Sequence, residues 1–256
     1  MESKNLNNVW PLIIGLSLII SSAIGGYAFY QGKALATNTL SVTGSAEKIV
    51  TSDTVKWSSN FSRNVDASGL KGGSAQMKND LQILKDYFKK NGVADSELTV
   101  NPMTISPLCE SQNNVMYDKF GNQTCGNNKT AGYTLQQTVI IESEKVKEIT
   151  DLSKNAGNYL IDQGLIFSSQ GTEYYFNKLA DIKIDLIDQA TKNAKERADK
   201  IAASTGATIC GLQSASTGVI QVTTKNSADV SDYGYYDTSS IEKKVTAVVK
   251  ASFTLR

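Results

Sequence analysis

No histidine occurs among the 256 residues, so any chemistry must be built from cysteines, carboxylates and tyrosines. Without imidazole, the Ser-His-Asp and Cys-His routes to an activated nucleophile are closed, and the commonest metal ligand is missing. Three cysteines remain: Cys109, Cys125 and Cys210. Cys109 and Cys125 flank a polar stretch rich in Asn, Gln, Ser and Gly. Outside the cytoplasm such a pair predicts a disulfide that closes the loop. Closing a loop of about 15 residues in this way is worth about 3 kcal/mol in the chain-entropy model. Zinc is the rival reading, but it would need all three cysteines and a carboxylate, an unusual ligand set. Cys210 is left over; it follows Thr208-Ile209 in a strand-like run and reads as a buried, inert thiol.

Carboxylates can do acid–base work without histidine. Asp181, Asp185 and Asp188 share part of one helix face at spacings of 4 and 3. The same spacing describes the polar side of an amphipathic helix, which is the favoured reading. No phosphate-cradling loop or nucleophile elbow accompanies them, so no catalytic, cofactor or metal-binding residue is assigned. Tyr233, Tyr235 and Tyr236 sit in a polar loop, residues 224–240, where a core cannot absorb all three. They are a candidate contact surface. The alternative is that the loop folds back and packs its tyrosines on its own lobe.

Charge narrows the partners. Lys and Arg number 26 against 25 Asp and Glu, a net charge of +1, so no strong pull toward nucleic acid is expected. Lys192, Lys195, Arg197 and Lys200 are interleaved with Glu196 and Asp199, the pattern of a solvated helix face. With 40% hydrophobic and 20% charged residues, the composition is that of an ordinary globular protein.

The chain opens differently. Residues 5–32 carry no charge, and residues 10–30 are almost wholly apolar, long enough to cross a bilayer. A cleaved secretory signal is one reading, with Lys4 as its basic start and Ala34-Leu35-Ala36 as its cleavage site. The length of the run, and Lys33 between it and that site, favour an uncleaved anchor. Trp10 at one end and Tyr27, Phe29 and Tyr30 at the other match interfacial aromatic belts. Lys4 and Lys33 nearly balance, but a short tail is easier to keep inside than a large domain. The expected layout is a tail (1–8), a single-pass anchor in the inner membrane (9–30), a tether (31–38) and a periplasmic domain (39–256).

Within that domain, residues 40–50 and 55–65 read as strands, the second with Val55, Trp57, Phe61 and Val65 on one face. A helix over residues 70–90 follows, with the stripe Met77, Leu81, Leu84 and Phe88. A strand over 98–105 is edged by Pro102 and ended by Pro107. After the cysteine loop come a strand (133–142), a short helix carrying Val146, Ile149, Leu152 and Ala156, and a strand region (160–176) broken around Gly171. A long helix over 178–204 presents Ile182, Leu186, Ala190, Ala194, Ala198, Ile201 and Ala202. A strand region (208–223) precedes a final strand alternating Val245, Ala247, Val249, Ala251, Phe253 and Leu255 with polar residues. The order β-β-α-β-β-α-β-α-β-β, with mostly short connections, predicts an α+β fold of mainly antiparallel sheet with helices packed on it.

Three stretches carry a family resemblance. Leu40-Ser41-Val42-Thr43-Gly44-Ser45-Ala46-Glu47 followed by Asp53 resembles the opening strand of SIMPL-domain proteins. Gly132-Tyr133 leading Thr138-Val139-Ile140-Ile141 resembles their central strand. Ala190, Ala194, Ala198 and Ala202, then Gly206 and Gly211, are similar to their Ala-rich helix and closing glycines. The resemblance implies a bacterial envelope protein of two interleaved α+β lobes, with ring-like oligomers in some relatives, and it carries no catalytic residue or cofactor. The cysteine loop and Tyr174-Tyr175 depart from the typical pattern. The expected function is therefore non-enzymatic: an anchored extracytoplasmic protein acting through homo-oligomeric assembly or an unknown protein partner, in the setting of envelope stress. A small-ligand module in a cleft between lobes, or a carboxylate-based hydrolase, are the alternatives.

Overall fold

The computed structural model describes residues 9–126, 129–227 and 233–256; the expected N-terminal tail, with Lys4, lies outside them. Helix α1 (Val9–Thr37) contains the apolar span Trp10–Gly32, which none of the other described residues covers. The helix runs on through Thr37, over most of the expected tether (31–38), where Gln, Lys, Ala and Leu are good helix formers.

Beyond α1 the described residues form an α+β fold of two large antiparallel sheets and one two-stranded hairpin. The first has β11 (Glu242–Leu255) at its centre, flanked by β1 (Thr39–Thr51). The pairing runs the full length of both strands, from Thr39 opposite Thr254 to Thr51 opposite Glu242. On the other side of β11, β9 (Ile209–Thr217) and β10 (Gln221–Thr224) lie end to end. Helix α4 (Leu179–Ser204) packs on one face through Leu186, Ala190, Ala194, Ala198 and Ala202, all buried. Ile182 is partly buried as expected, but Ile201 is exposed. The buried positions step by four residues, which turns the contact face about 40° per step around the helix, so by Ala198 and Ala202 it has left Ile201 behind.

The second lobe is inserted between β1 and α4. Its sheet has the order β3/β4–β7–β2–β8, with β2 (Thr54–Asp66), β3 (Leu98–Val100), β4 (Thr104–Cys109), β7 (Thr130–Ser143) and β8 (Ile166–Tyr175). Helices α2 (Leu70–Lys90) and α3 (Val146–Asp162) cover one face and close a core around Trp57, Phe61, Phe88, Leu135 and Ile149. Trp57 meets Phe88 and Phe167 edge-on at 5.4 and 6.3 Å, and its indole N–H donates to Ser169 at 2.9 Å.

Three sequence expectations are corrected here. The strand read over 98–105 is two strands, β3 and β4, set along β7 and separated at Pro102. Pro107 does not end β4, which continues to Cys109: on an edge strand the missing N–H can face outward. The strand region read from residue 160 starts at Ile166, because α3 runs on through Leu160, which is buried in the core. A hairpin of β5 (Val115–Tyr117) and β6 (Gln123–Cys125) follows β4.

Candidate contact site at the lobe junction

The two lobes meet where the chain crosses between sheets. At the first crossing the Ser52 N–H donates to Ile241 O at 2.9 Å, and the Asp53 N–H to Tyr175 O at 2.9 Å. At the second, the Asn177 N–H donates to the Asp53 carboxylate at 3.0 Å, and its side chain donates to Thr54 Oγ1 at 2.8 Å. The loop between β10 and β11 supplies the third layer, with the Tyr174 N–H donating to Thr238 O at 2.8 Å.

That loop carries the three tyrosines, and the structure divides them. Tyr236 folds back: its ring stacks on Tyr175 at 6.3 Å, and its hydroxyl accepts from the Phe176 N–H at 2.9 Å and donates to Phe176 O at 3.2 Å. Tyr233 and Tyr235 face solvent, 96% and 51% exposed. The candidate surface thus rests on Tyr233 and Tyr235, with Tyr236 as their support. Burial pushes the Tyr175 phenol up, and its hydrogen bond to Glu173 adds to the shift.

Beneath the tyrosines lies a buried ion pair. Asp237 and Lys243 are 2% and 0% exposed, and the ammonium donates to Asp237 Oδ2 at 3.2 Å, Asp237 O at 2.6 Å and Ser240 O at 2.7 Å. The carboxylate also accepts from the Ser239 and Ser240 N–H groups and hydroxyls. Burial by itself pushes the Asp237 carboxyl up, but these hydrogen bonds outweigh it and hold the group well below the usual carboxylate range. Burial pushes the Lys243 ammonium down, against the attraction of Asp237. The Asp237 N–H donates to Val222 O and the Val222 N–H to Tyr235 O, both at 2.8 Å, so the loop is pinned to β10. With their polar groups engaged, Asp237 and Lys243 fix the base of the tyrosine loop.

The sequence carries local signals for this root. Asp237 with serines two and three residues on is an Asx-turn pattern. Lys243 stands two residues before Val245, on the inward phase of the same alternation. A second ion pair, half-buried Arg63 with buried Asp80, joins β2 to α2: Nη2 meets Oδ1 at 2.8 Å, and Nε pairs with Oδ2.

The other candidates fall elsewhere. Cys109 and Cys125 are joined as a disulfide, at the far end of β4 from the junction. Cys210 is exposed rather than buried, because α4 does not reach over β9. Asp181, Asp185 and Asp188 are exposed on α4; Asp185 accepts from Gln189, and Asp188 pairs with Lys192 at 2.6 Å. Among the described residues, no three Cys, Asp or Glu side chains converge as a metal ligand set.

Gly44 and Gly132 explain two of the sequence stretches that pointed to a family. A Cβ on Gly44 would meet the backbone of α4, and one on Gly132 would stand 2.0 Å from Val65 O across the β2–β7 pair. The family model for SIMPL, described as a protein of unknown function (DUF541), matches residues 40–253. The chain belongs to the SIMPL family. No curated protein matches it. The SIMPL match spans both lobes and begins just after α1, so the domain comprises the two sheets, the tyrosine loop and the disulfide hairpin.

Proposed function

We propose that this SIMPL-domain protein is held by α1 as a single-pass inner-membrane protein, with its two lobes in the periplasm, and that it acts through assembly or through a protein partner rather than by catalysis. Envelope stress is the setting in which such a role fits. The observation that carries the reading is the exposure of Tyr233 and Tyr235 on a loop whose base is locked by Asp237 and Lys243. Exposed tyrosines on a rigid base suit recognition, since they bring large contact area at little entropic cost.

Photo-crosslinking from position 235 in intact envelopes tests it. Specific crosslinks to a second copy or to one partner protein are expected, and they should weaken with Tyr233→Ser. A crosslink pattern identical to that from an exposed position on α2, such as Lys89, would remove the reading.

A further inference from the structure

A helix about 10 Å across cannot cover three strands spanning about 14 Å. In the first lobe α4 sits over β1 and β11, and β9 is left exposed from Cys210 to Thr217. The uncovered strip forms a cleft of about 510 Å³ between α4 and β9, within the range of small-molecule sites. Its floor is apolar: Phe253 is buried beneath it, and Ile209 and Leu212 form the β9 wall. Its rim on α4 is charged. Lys192, Lys195 and Asp199 line it, and Lys192 is paired with Asp188. Lys195 has no ion-pair partner among the described residues. An apolar trough with an available ammonium at its lip is complementary to a molecule that is apolar along its length and anionic at one end.

The cleft also has a particular position. Thr254 pairs with Gly211 on one side and with Thr39 on the other, and the Leu255 N–H donates to Asn38 O. Two strand spacings put the cleft wall about 10 Å from Thr39, just past the end of α1. Residues 33–37 add about 8 Å of helix beyond the apolar span. The cleft therefore opens close to where the chain leaves the bilayer, the largest local source of acyl chains.

We infer that the α4–β9 cleft binds a single-chain anionic amphiphile of the fatty-acid class, with its carboxylate at Lys195 and its chain along Phe253 and Leu212. The source of the ligand in the bilayer rests on the anchored reading above; the binding does not.

Cys210 lines the cleft and is the free thiol among the described cysteines, so its alkylation reports occupancy. The test uses the full chain in phosphatidylcholine nanodiscs and measures the rate of maleimide addition to Cys210. Palmitate is expected to slow the reaction at least fivefold and saturably, while methyl palmitate and acetate leave it unchanged. Lys195→Glu, an exposed position that does not threaten folding, should raise the half-saturating palmitate concentration about tenfold, equivalent to about 1.4 kcal/mol. Absence of saturable protection overturns the inference, as does equal protection by the methyl ester or indifference to Lys195→Glu. Protection by phosphatidylglycerol nanodiscs without palmitate would also overturn it, assigning the cleft to a two-chain lipid. If the chain fails to enter nanodiscs, the anchored reading falls, and the same alkylation assay on the unanchored protein still decides the cleft.

Discussion

Gly44 in β1 and Ala190 in α4 meet backbone to backbone: a Cβ on Gly44 would stand 2.2 Å from the Ala190 carbonyl oxygen and 2.4 Å from the Ala194 nitrogen. Neither obstacle is a side chain that can turn away. Small residues on both elements thus let the helix lie directly on the strand, and the Ala stripe and the glycine are one device.

Gly44→Ala should therefore force α4 off the sheet and destabilise the protein by about 1–3 kcal/mol, the usual range for an overpacked core. Urea unfolding of the variant beside Gly72→Ala, where a Cβ meets open space, checks this. Equal stability of the two variants would show that the close approach carries no constraint.

Asp80 is 2% exposed and grips the Arg63 guanidinium in a two-point pairing. Asp80→Ala strands a half-buried cation that water can partly reach and should cost about 1.5–3 kcal/mol, whereas replacing both partners with apolar residues should cost less. A double-mutant cycle read by thermal melting separates the two. The melting temperature of Arg63→Met with Asp80→Leu should lie above that of Asp80→Ala.

For Asp237 the pH dependence has a definite sign. Its folded carboxyl is held far below the ordinary value of about 4. Its contribution is complete above that ordinary value and fades as pH falls, because the unfolded carboxyl then takes up a proton that the folded one refuses. Stability should thus decline from pH 5 to pH 3, and Asp237→Asn should flatten that part of the profile. Denaturant titrations across the interval give the comparison, and an unchanged slope in the variant would assign the acid sensitivity to other carboxylates.

The Cys109–Cys125 bridge staples a hairpin whose large side chains, Met116, Tyr117 and Phe120, are exposed. Reduction should loosen residues 110–126 while leaving the Trp57 core protected. Hydrogen exchange before and after reduction measures both, with a loss of up to about 3 kcal/mol confined to the hairpin. Peptide mapping without reductant should recover the two cysteines joined; free thiols at both would refute the pairing.

Much of this was legible along the chain. The stripe through Met77, Leu84 and Phe88 marked α2 with its observed bounds, and the alternation from Val245 to Phe253 marked β11, because both signals are local periodicities. The cysteine pair was legible because two thiols flanked one polar loop. What stayed hidden depended on neighbours distant in sequence. Asp80 interrupts an apolar stripe and makes sense only beside Arg63. Cys210 looks buried in a strand-like run until it is clear that α4 covers two strands and not three. Within the tyrosine loop, nothing local separates Tyr236 from Tyr233; the difference is Tyr175, which arrives from another strand.

The pairing of β1 with β11 sets an order of events in synthesis. β1 follows directly on α1, so it leaves the ribosome among the first parts of the domain, yet its hydrogen-bonding partner is residues 242–255. The inserted lobe has all its strands and both its helices within residues 54–175 and can close while the rest is still being made. Until β11 arrives, β1 waits with its edge unpaired, a slow, long-range closure of the kind that exposes strands to aggregation. A chain cut short before residue 242 would keep the strands and helices of the second lobe and display β1 as an open edge, the mark of an unfinished protein.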